Sequence, residues 1–260
     1  MSRMPAFGLL ALVWGCATGF DRGAIQERLS GDQLQVSNQH VSEVLALKPQ
    51  VRFPFKLGIY LDSGRAGYSE RSPRERIASL GSVEWRVADK EKVLAALDFL
   101  KGRGVLSDAF YISTMTASGG SLEEVRVAAA RHGADAVLVV RGVSQVDRYV
   151  NPLCLLNILI LPGWLVPASH RDALVVVASA LWDVRNGYLY ATAEAEGTGS
   201  VLRPSFTIDD QQAIERAKEK ALADFAAEVA RRIEGLKSTA EDVGAPDGSS
   251  PAGSGPRATP

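Results

Sequence analysis

The residues that could support catalysis are few and lie apart along the sequence. His40, His132 and His170 fall in a polar stretch, at a predicted helix end and beside an apolar segment. A charged His132 at a helix C-terminus would interact favourably with the helix dipole, a more common role than catalysis. Asp135 follows a helix-to-strand glycine, where a carboxylate accepts hydrogen bonds from backbone amides. These positions favour structural roles over a catalytic site.

Two further patterns could bind substrate, and neither is specific. Glu194 and Glu196 share one face of a predicted strand, as paired carboxylates would, but an exposed outer strand carries such charges to discourage edge pairing. Residues 118–120, Ser-Gly-Gly, precede a helix start but lack the Gly-x-x-x-x-Gly-Lys pattern of a phosphate loop. No Cys-x-x-Cys or His/Cys cluster offers a metal site. We therefore expect a protein that is not an enzyme and that uses no cofactor or metal.

The best-defined chemistry is at Cys16. Arg3 and the apolar residues 6–13 form a secretory signal that is too short to span a bilayer. Residues 12–16, Leu-Val-Trp-Gly-Cys, resemble the bacterial lipoprotein processing site, which implies cleavage before Cys16 and lipid attachment to it. Under this resemblance Ala17, in place of aspartate, implies the outer membrane and its periplasmic side. Several acyl chains on one residue give stable anchoring. The alternative is an ordinary signal peptide with an incidental cysteine.

Composition restricts the class of the mature protein. The 260 residues are 46% hydrophobic, which is ample for a buried core, and the net charge of −1 gives no basis for nucleic-acid binding. Residues 1–15 are predicted as the signal peptide, 16–50 as the lipidated cysteine and a tether, 51–236 as an α/β domain, and 237–260 as a disordered tail rich in Gly, Ser, Pro and Ala.

Hydrophobic periodicity predicts an α/β domain, a small mixed sheet with helices packed on it, in the order β-α-β-α-β-β-β-α. Residues 62–81 are expected to form a surface loop with a short helix. The Asn186-Gly187 pair predicts a tight turn between the last two strands. The predicted strands span residues 53–61, 110–114, 134–142, 173–184 and 188–196, and the predicted helices span 89–100, a segment beginning after Ser121, and 209–235.

This order resembles a small α/β domain of periplasmic proteins. The local similarity is in residues 131–140, Arg-His-Gly-Ala-Asp-Ala-Val-Leu-Val-Val, and 181–190, Leu-Trp-Asp-Val-Arg-Asn-Gly-Tyr-Leu-Tyr. The families concerned are the amino-terminal domain of the Tol-system translocation protein, the lipoprotein activator of penicillin-binding proteins and the curli-secretion lipoprotein. In those families such segments are a helix end entering the central strand, and a hairpin turn.

Residues 53–196 also resemble the rhombotail lipoproteins, including the Arg-His-Gly-Ala-Asp segment. That group has a carboxy-terminal sorting tail with an apolar helix, whereas residues 237–260 contain no apolar helix. The resemblance supplies no catalytic or binding residue.

Between the third and fourth predicted strands lies an uncharged stretch, residues 149–170, here called the apolar segment. Prolines and a glycine divide it and disfavour a helical membrane span. Three alternatives stay open: a hairpin or short helix covering the domain's own sheet, an exposed surface for a partner or for self-association, and a hairpin that dips into the membrane. Under the second, the predicted contact residues are Leu155, Leu156, Ile158, Leu159, Ile160 and Trp164.

The sequence therefore predicts a lipid-anchored periplasmic protein whose partners are the membrane, through Cys16, and another protein or a second copy. The leading hypothesis is a non-enzymatic protein-binding or envelope-assembly module. A subunit of an oligomeric secretion or pore complex is the rival, and an enzyme is third.

Overall fold

The computed structural model describes residues 19–30, 41–62, 78–117, 121–150, 169–203 and 210–244. The elements, in chain order, are α1 (Arg22–Ser30), α2 (Val41–Ala46), β1 (Phe55–Asp62), β2 (Ala78–Ser82), α3 (Val87–Gly102), β3 (Leu106–Tyr111), α4 (Leu122–Arg131), β4 (Ala136–Val150), β5 (Ser169–Asp183), β6 (Leu189–Arg203) and α5 (Asp210–Gly244).

One mixed sheet organises the domain, and β4 is its central strand. The order is β3-β1-β4-β5-β6, and β2 pairs with the part of β4 that extends beyond β1. β1 is parallel to both β3 and β4, whereas β2 and β5 are antiparallel to β4, and β6 is antiparallel to β5. The prediction of a small mixed α/β sheet with helices packed on it is confirmed.

The long strands give the sheet two distinct ends. β4 pairs with β5 from Ala136 opposite Asp183 to Val150 opposite Ser169. We call the end at Val150 and Ser169 the upper end, and the end where β5 leads into β6 the lower end. The apolar segment thus connects two antiparallel strands at the upper end. β4, β5 and β6 form a continuous meander rather than one strand followed by a separate hairpin.

Alternating side chains place apolar groups on both faces of the sheet. Residues 136–140 of β4 are all buried, as expected for a strand covered on both sides. α3 and α5 cover one face, where Leu57, Leu138 and Phe225 belong to the main core. α4 covers the lower part of the other face, and α1 covers its upper part.

Two glycines of β6 allow α5 to lie directly on the sheet. A Cβ on Gly197 would be 2.2 Å from the carbonyl oxygen of Ala217, and one on Gly199 would be 2.4 Å from that of Ala213. Any side chain at either position would displace the α5 backbone. Small residues on both surfaces therefore set the distance between α5 and the sheet.

The predicted turn between β5 and β6 is confirmed. Gly187 has a φ of +74°, and its amide donates to the Asp183 carbonyl at 3.1 Å. Gly133 likewise has a positive φ, +71°, just after α4. The Ser121 hydroxyl accepts from the amide of Glu124 at 3.3 Å, which confirms the predicted helix N-cap.

The N-terminal tether prediction is wrong for residues 19–30. Ile25 and Leu29 of α1 are 3% and 6% exposed and pack against the upper sheet face. Two apolar residues four positions apart share one helix face, and the upper parts of β4 and β5 offer them an apolar surface. α1 is therefore part of the domain, whereas α2 has no buried residue.

The surface-loop prediction is wrong for β2. β1 ends opposite Arg141, so the edge of β4 beyond that point is open, and residues 78–82 pair with β4 from Val143 to Asp147. Residues 63–77 lie outside the described residues.

Several boundaries also differ from the predictions, and β4 and β6 extend to residues 150 and 203 rather than 142 and 196. β3 covers residues 106–111 rather than 110–114, because pairing with β1 places Leu106 opposite Phe55. α5 continues to Gly244, past the predicted end at residue 235. Residues 236–243 contain neither glycine nor proline, and Gly235 alone does not end a helix. The predicted disordered tail is thus helical over residues 237–244, and residues 245–260 lie outside the described residues.

Candidate functional site at the upper end of the sheet

The upper end holds the strands that frame the apolar segment. Val150 of β4 and Ser169 of β5 are register partners and are its nearest described flanks. β6 ends beside them, since Arg203 pairs with Ser169. The predicted contact residues Leu155, Leu156, Ile158, Leu159, Ile160 and Trp164 lie outside the described residues, as does Cys16.

The start of α1 is fixed to this same end by two buried side chains. The Gly19 amide donates to Asp147 Oδ2 at 3.2 Å, and the Asp21 amide donates to Gln145 Oε1 at 2.9 Å. Asp147 and Gln145 are 3% and 2% exposed. Polar groups at such depth are retained where they are hydrogen-bonded, so these two side chains bind the α1 backbone.

A buried ion pair holds the other end of α1. Arg141 donates to Asp62 Oδ2 through Nε at 2.9 Å and Nη2 at 2.7 Å, and Nη1 donates to the Leu29 carbonyl at 2.9 Å. Arg141 therefore joins α1, β1 and β4. Removing either charge would leave the other buried without its partner.

On the opposite face, Lys218 of α5 has a similar structural role. Its ammonium lies 2.9 Å from Asp89 Oδ2 and donates to the Glu84 carbonyl at 3.2 Å. The pair ties α5 to the start of α3.

The lower end contains a polar cluster that the sequence analysis did not identify. The Tyr190 hydroxyl donates to Asp183 Oδ2 at 2.6 Å and accepts from the amides of Gln50 and Val51 at 2.9 Å each. Burial, then the hydrogen bond to the Asp183 carboxylate, raises the pKa of Tyr190. In the sequence, the only sign of this cluster is Asp183, an aspartate within an apolar strand. The cluster closes the turn and has no free nucleophile.

Of the residues considered for catalysis, those in the described ranges lie apart, with His132 and Asp135 at the lower end and His170 at the upper end. His132 is exposed and is the C-cap of α4. Asp135 accepts from the Lys56 amide at 3.0 Å, which confirms a backbone amide as its partner, and from Arg185 at 3.3 Å. His170 is in β5 at the upper end, whereas His40 and residues 118–120 lie outside the described residues.

The two glutamates are on an edge strand, as predicted. β6 pairs only with β5 in the described sheet. Glu196 accepts from Arg22 at 2.7 Å, and this hydrogen bond lowers the pKa of the glutamate. Glu196 is therefore paired with α1 through Arg22.

Among the surface clefts lined by described residues are an apolar groove and a polar cleft. An alanine-rich groove of about 660 Å³ lies between α3 and α5 and includes Phe99. A polar cleft of about 730 Å³ lies at the lower end between residues 49–54 and Arg185. Neither contains a histidine or cysteine among its lining residues.

Metal-binding clusters and membrane-spanning helices are absent from the described residues. Across the described ranges, no group of three or more His, Cys, Asp or Glu side chains is placed to hold a metal ion. Within that part of the chain, every helix is too short or too polar to cross a bilayer.

No protein-family model and no curated protein matches the sequence. Among solved structures, the fold is similar to a hypothetical protein from Chlamydia trachomatis, with a TM-score of 0.33, 8% identity, and coverage of 69% of this chain and 97% of that chain. A Xanthomonas campestris protein of the DUF330 family model has a TM-score of 0.30 and 14% identity, with coverage of 76% of this chain and 94% of that chain. A candidate lipoprotein from Caulobacter crescentus has a TM-score of 0.20 and 19% identity, with coverage of 47% of this chain and 84% of that chain. At these TM-scores the similarities carry no argument about function.

Proposed function

We propose that this chain is a lipoprotein anchored through Cys16 to the periplasmic side of the outer membrane, and that it binds another envelope protein without catalysing a reaction. The observation that carries the proposal is the Gly19–Asp147 hydrogen bond at the upper end. It brings the chain that follows Cys16 to the end of the sheet from which the apolar segment leaves. The proposed anchor therefore lies near the end of the domain at which the apolar segment joins β4 and β5.

The chemistry of the apolar segment determines the kind of partner. Residues 149–170 contain no Asp, Glu, Lys or Arg. Such a stretch recognises apolar surface rather than charge. Because it leaves the anchor end, the partner is a protein embedded in the outer membrane or lying on it.

Crosslinking in cells tests the contact. A photoreactive amino acid at Leu159 is expected to give a discrete higher-mass adduct containing a second protein. The matched control is the same amino acid at Arg185, which is exposed at the lower end. Equal adducts from both positions, or none from Leu159, would contradict the proposal.

The anchor is tested separately by Cys16→Ala. The variant is expected to leave the membrane fraction, since the described helices do not span a bilayer. If it stayed membrane-bound, the anchor assignment would fail and the apolar segment would become the candidate membrane contact.

The edge of β6, which pairs only with β5 among the described strands, favours a second function, as a subunit of an oligomeric complex. β6 is 15 residues long and carries the edge charges Glu194 and Glu196, but it contains neither proline nor lysine, the other residues that commonly protect edge strands. Sizing of the Cys16→Ser chain without detergent separates the two functions. A ring-sized species would support the oligomer, and a monomer would support the adaptor.

A further inference from the structure

The start of α1 fixes how the domain is placed relative to its anchor. Gly19 and Asp21 are bonded to buried side chains of β4 near the upper end. The other end of α1 is bonded at Leu29 to Arg141, six positions before Asp147 along β4. α1 therefore starts at the upper end and runs toward the lower end, along the sheet rather than away from it.

The chain between the anchor and the sheet is short. Gly19 is three positions after Cys16, and a fully extended chain spans at most about 3.6 Å per residue, so the gap is at most about 11 Å. β4 has 15 residues, which at about 3.3 Å per residue gives a strand of about 50 Å. The anchor reaches the upper end but not the lower end.

Charges of both signs lie at the upper end, where Asp147 and Asp172 are register partners beside Arg148 and Arg171. Arg148 of β4 and Arg171 of β5 are register partners. Arg203 of β6 lies two residues beyond Val201, the register partner of Arg171. Asp210 at the start of α5 pairs with Arg171 at 2.9 Å. The charges therefore balance, and the orientation rests on the reach of the anchor.

We propose that the upper strand ends of β4, β5 and β6 face the bilayer surface, so that the strands stand on the membrane with the lower end directed into the periplasm. The inference rests on the proposed lipid on Cys16 and adds the orientation of the domain. α5 runs from the upper end to the lower end, because Asp210 contacts Arg171 and Lys237 donates to the Arg103 carbonyl beside the start of β3. Residues 245–260 therefore leave from the end away from the membrane.

A series of probes along β6 tests the orientation. Thr192, Thr198 and Ser200 are exposed, and their even spacing places them on one face of the strand. Thr192 and Ser200 are about 27 Å apart along a strand of about 3.4 Å per residue. A fluorescent amino acid is introduced at each position of the full chain, which is purified from membranes with its lipid attached. The protein is then reconstituted into vesicles of phosphatidylethanolamine and phosphatidylglycerol that carry a nitroxide quencher on the headgroup.

Quenching is expected to decrease from Ser200 through Thr198 to Thr192, with at least a twofold difference between the two ends of the series. Equal quenching, or stronger quenching at Thr192, would overturn the orientation. The mass of the purified chain shows whether Cys16 carries acyl groups. An unacylated chain would overturn both the anchor and this inference, whereas an acylated chain with equal quenching would overturn the inference alone.

Discussion

The two ends of the sheet are closed in different ways. At the lower end a short turn joins β5 to β6, and Arg126 of α4 donates to the carbonyls of Val184 and Arg185 at 3.1 and 3.0 Å. Tyr190 and Asp183 bind the backbone of residues 50–51 there. At the upper end, strands of 15 residues lead into the apolar segment, and the start of α1 is bonded beside it.

This difference separates the parts of the sequence that specify the fold from those that we propose to specify function. Side chains at the lower end form hydrogen bonds within the domain, and these bonds hold its short connections in place. The upper end presents a long uncharged connection next to the proposed anchor. Substitutions in the packed sheet and helices, at the lower end as elsewhere, should therefore change the free energy of unfolding, whereas those in the apolar segment should change binding.

The largest expected effect is on the packing of α5 against the upper half of β6. Gly197→Ala would place a Cβ 2.2 Å from the Ala217 carbonyl oxygen, so the helix must move. We expect the free energy of unfolding of the full chain, measured by urea titration, to fall by about 3 kcal/mol or more. Gly235→Ala is the control, because nothing lies within 4 Å of its added Cβ, and it should stabilise α5 by up to about 1 kcal/mol. Similar stability for both variants would contradict the close helix–sheet contact.

The next effect tests whether α1 belongs to the domain. Leu29→Ala removes a side chain that is 6% exposed and should cost about 3 kcal/mol of unfolding free energy. Glu27→Ala, at an exposed position of the same helix, should stay within about 0.5 kcal/mol of the parent chain. If both variants unfolded at the parent urea concentration, residues 19–30 would be a tether after all.

A smaller loss is expected from the lower-end cluster. Tyr190→Phe removes the hydroxyl that bonds Asp183 and two backbone amides, and should cost about 2 kcal/mol because buried groups lose their partner. Tyr188→Phe is the matched control in the same turn, since the described residues place no hydrogen-bond partner at its hydroxyl. When the thermal unfolding of both variants is measured, only Tyr190→Phe should have a lower midpoint temperature than the parent chain.

The smallest effect concerns the exposed Arg22–Glu196 pair, which joins α1 to β6. The hydrogen bond from Arg22 lowers the pKa of Glu196 below its ordinary value of 4.5. A carboxyl with a lowered folded-state pKa stabilises the fold above its unfolded pKa and loses that contribution as pH falls through the folded value. The loss is therefore expected only below about pH 4.5.

Carboxyl NMR titration of Glu196 measures this shift directly. The pKa should return toward the ordinary value in Arg22→Gln, with no measurable change in stability at neutral pH because the pair is solvent-exposed. An unchanged titration in that variant would show that α1 does not lie beside β6.

Much of the lower half of the fold could be predicted from periodicity and turn residues. The continuous apolar run at residues 136–140 predicts a doubly covered strand, and Asn186-Gly187 predicts the turn. The helical spacing of residues such as Phe225 and Val229 predicts the face of α5 that packs on the sheet. These signals are local, so they can be interpreted without knowledge of the tertiary contacts.

The upper end could not be predicted because its signals depend on distant partners. α1 has only Ile25 and Leu29 to bury, and it is stabilised by a sheet face more than a hundred residues away in sequence. β2 forms because β4 extends past β1, which the sequence of residues 78–82 does not reveal. The residues proposed for lipid attachment and partner contact, Cys16 and those in the apolar segment, remain predictions from sequence.

The central claim is that the anchor and the apolar segment share one end of the domain. Pulsed EPR distances test it in the full chain with Cys16 and Cys154 replaced by serine. Spin labels at Gly23 and Ser200 should lie within about 20 Å of each other, given strands about 4.8 Å apart, whereas labels at Gly23 and Asn186 should be separated by about 35 Å or more. Two narrow distance distributions, the shorter one for Gly23 and Ser200, would support this claim. Equal or broad distributions for the two pairs would contradict it, because the chain after Cys16 would then have no fixed place at the upper end.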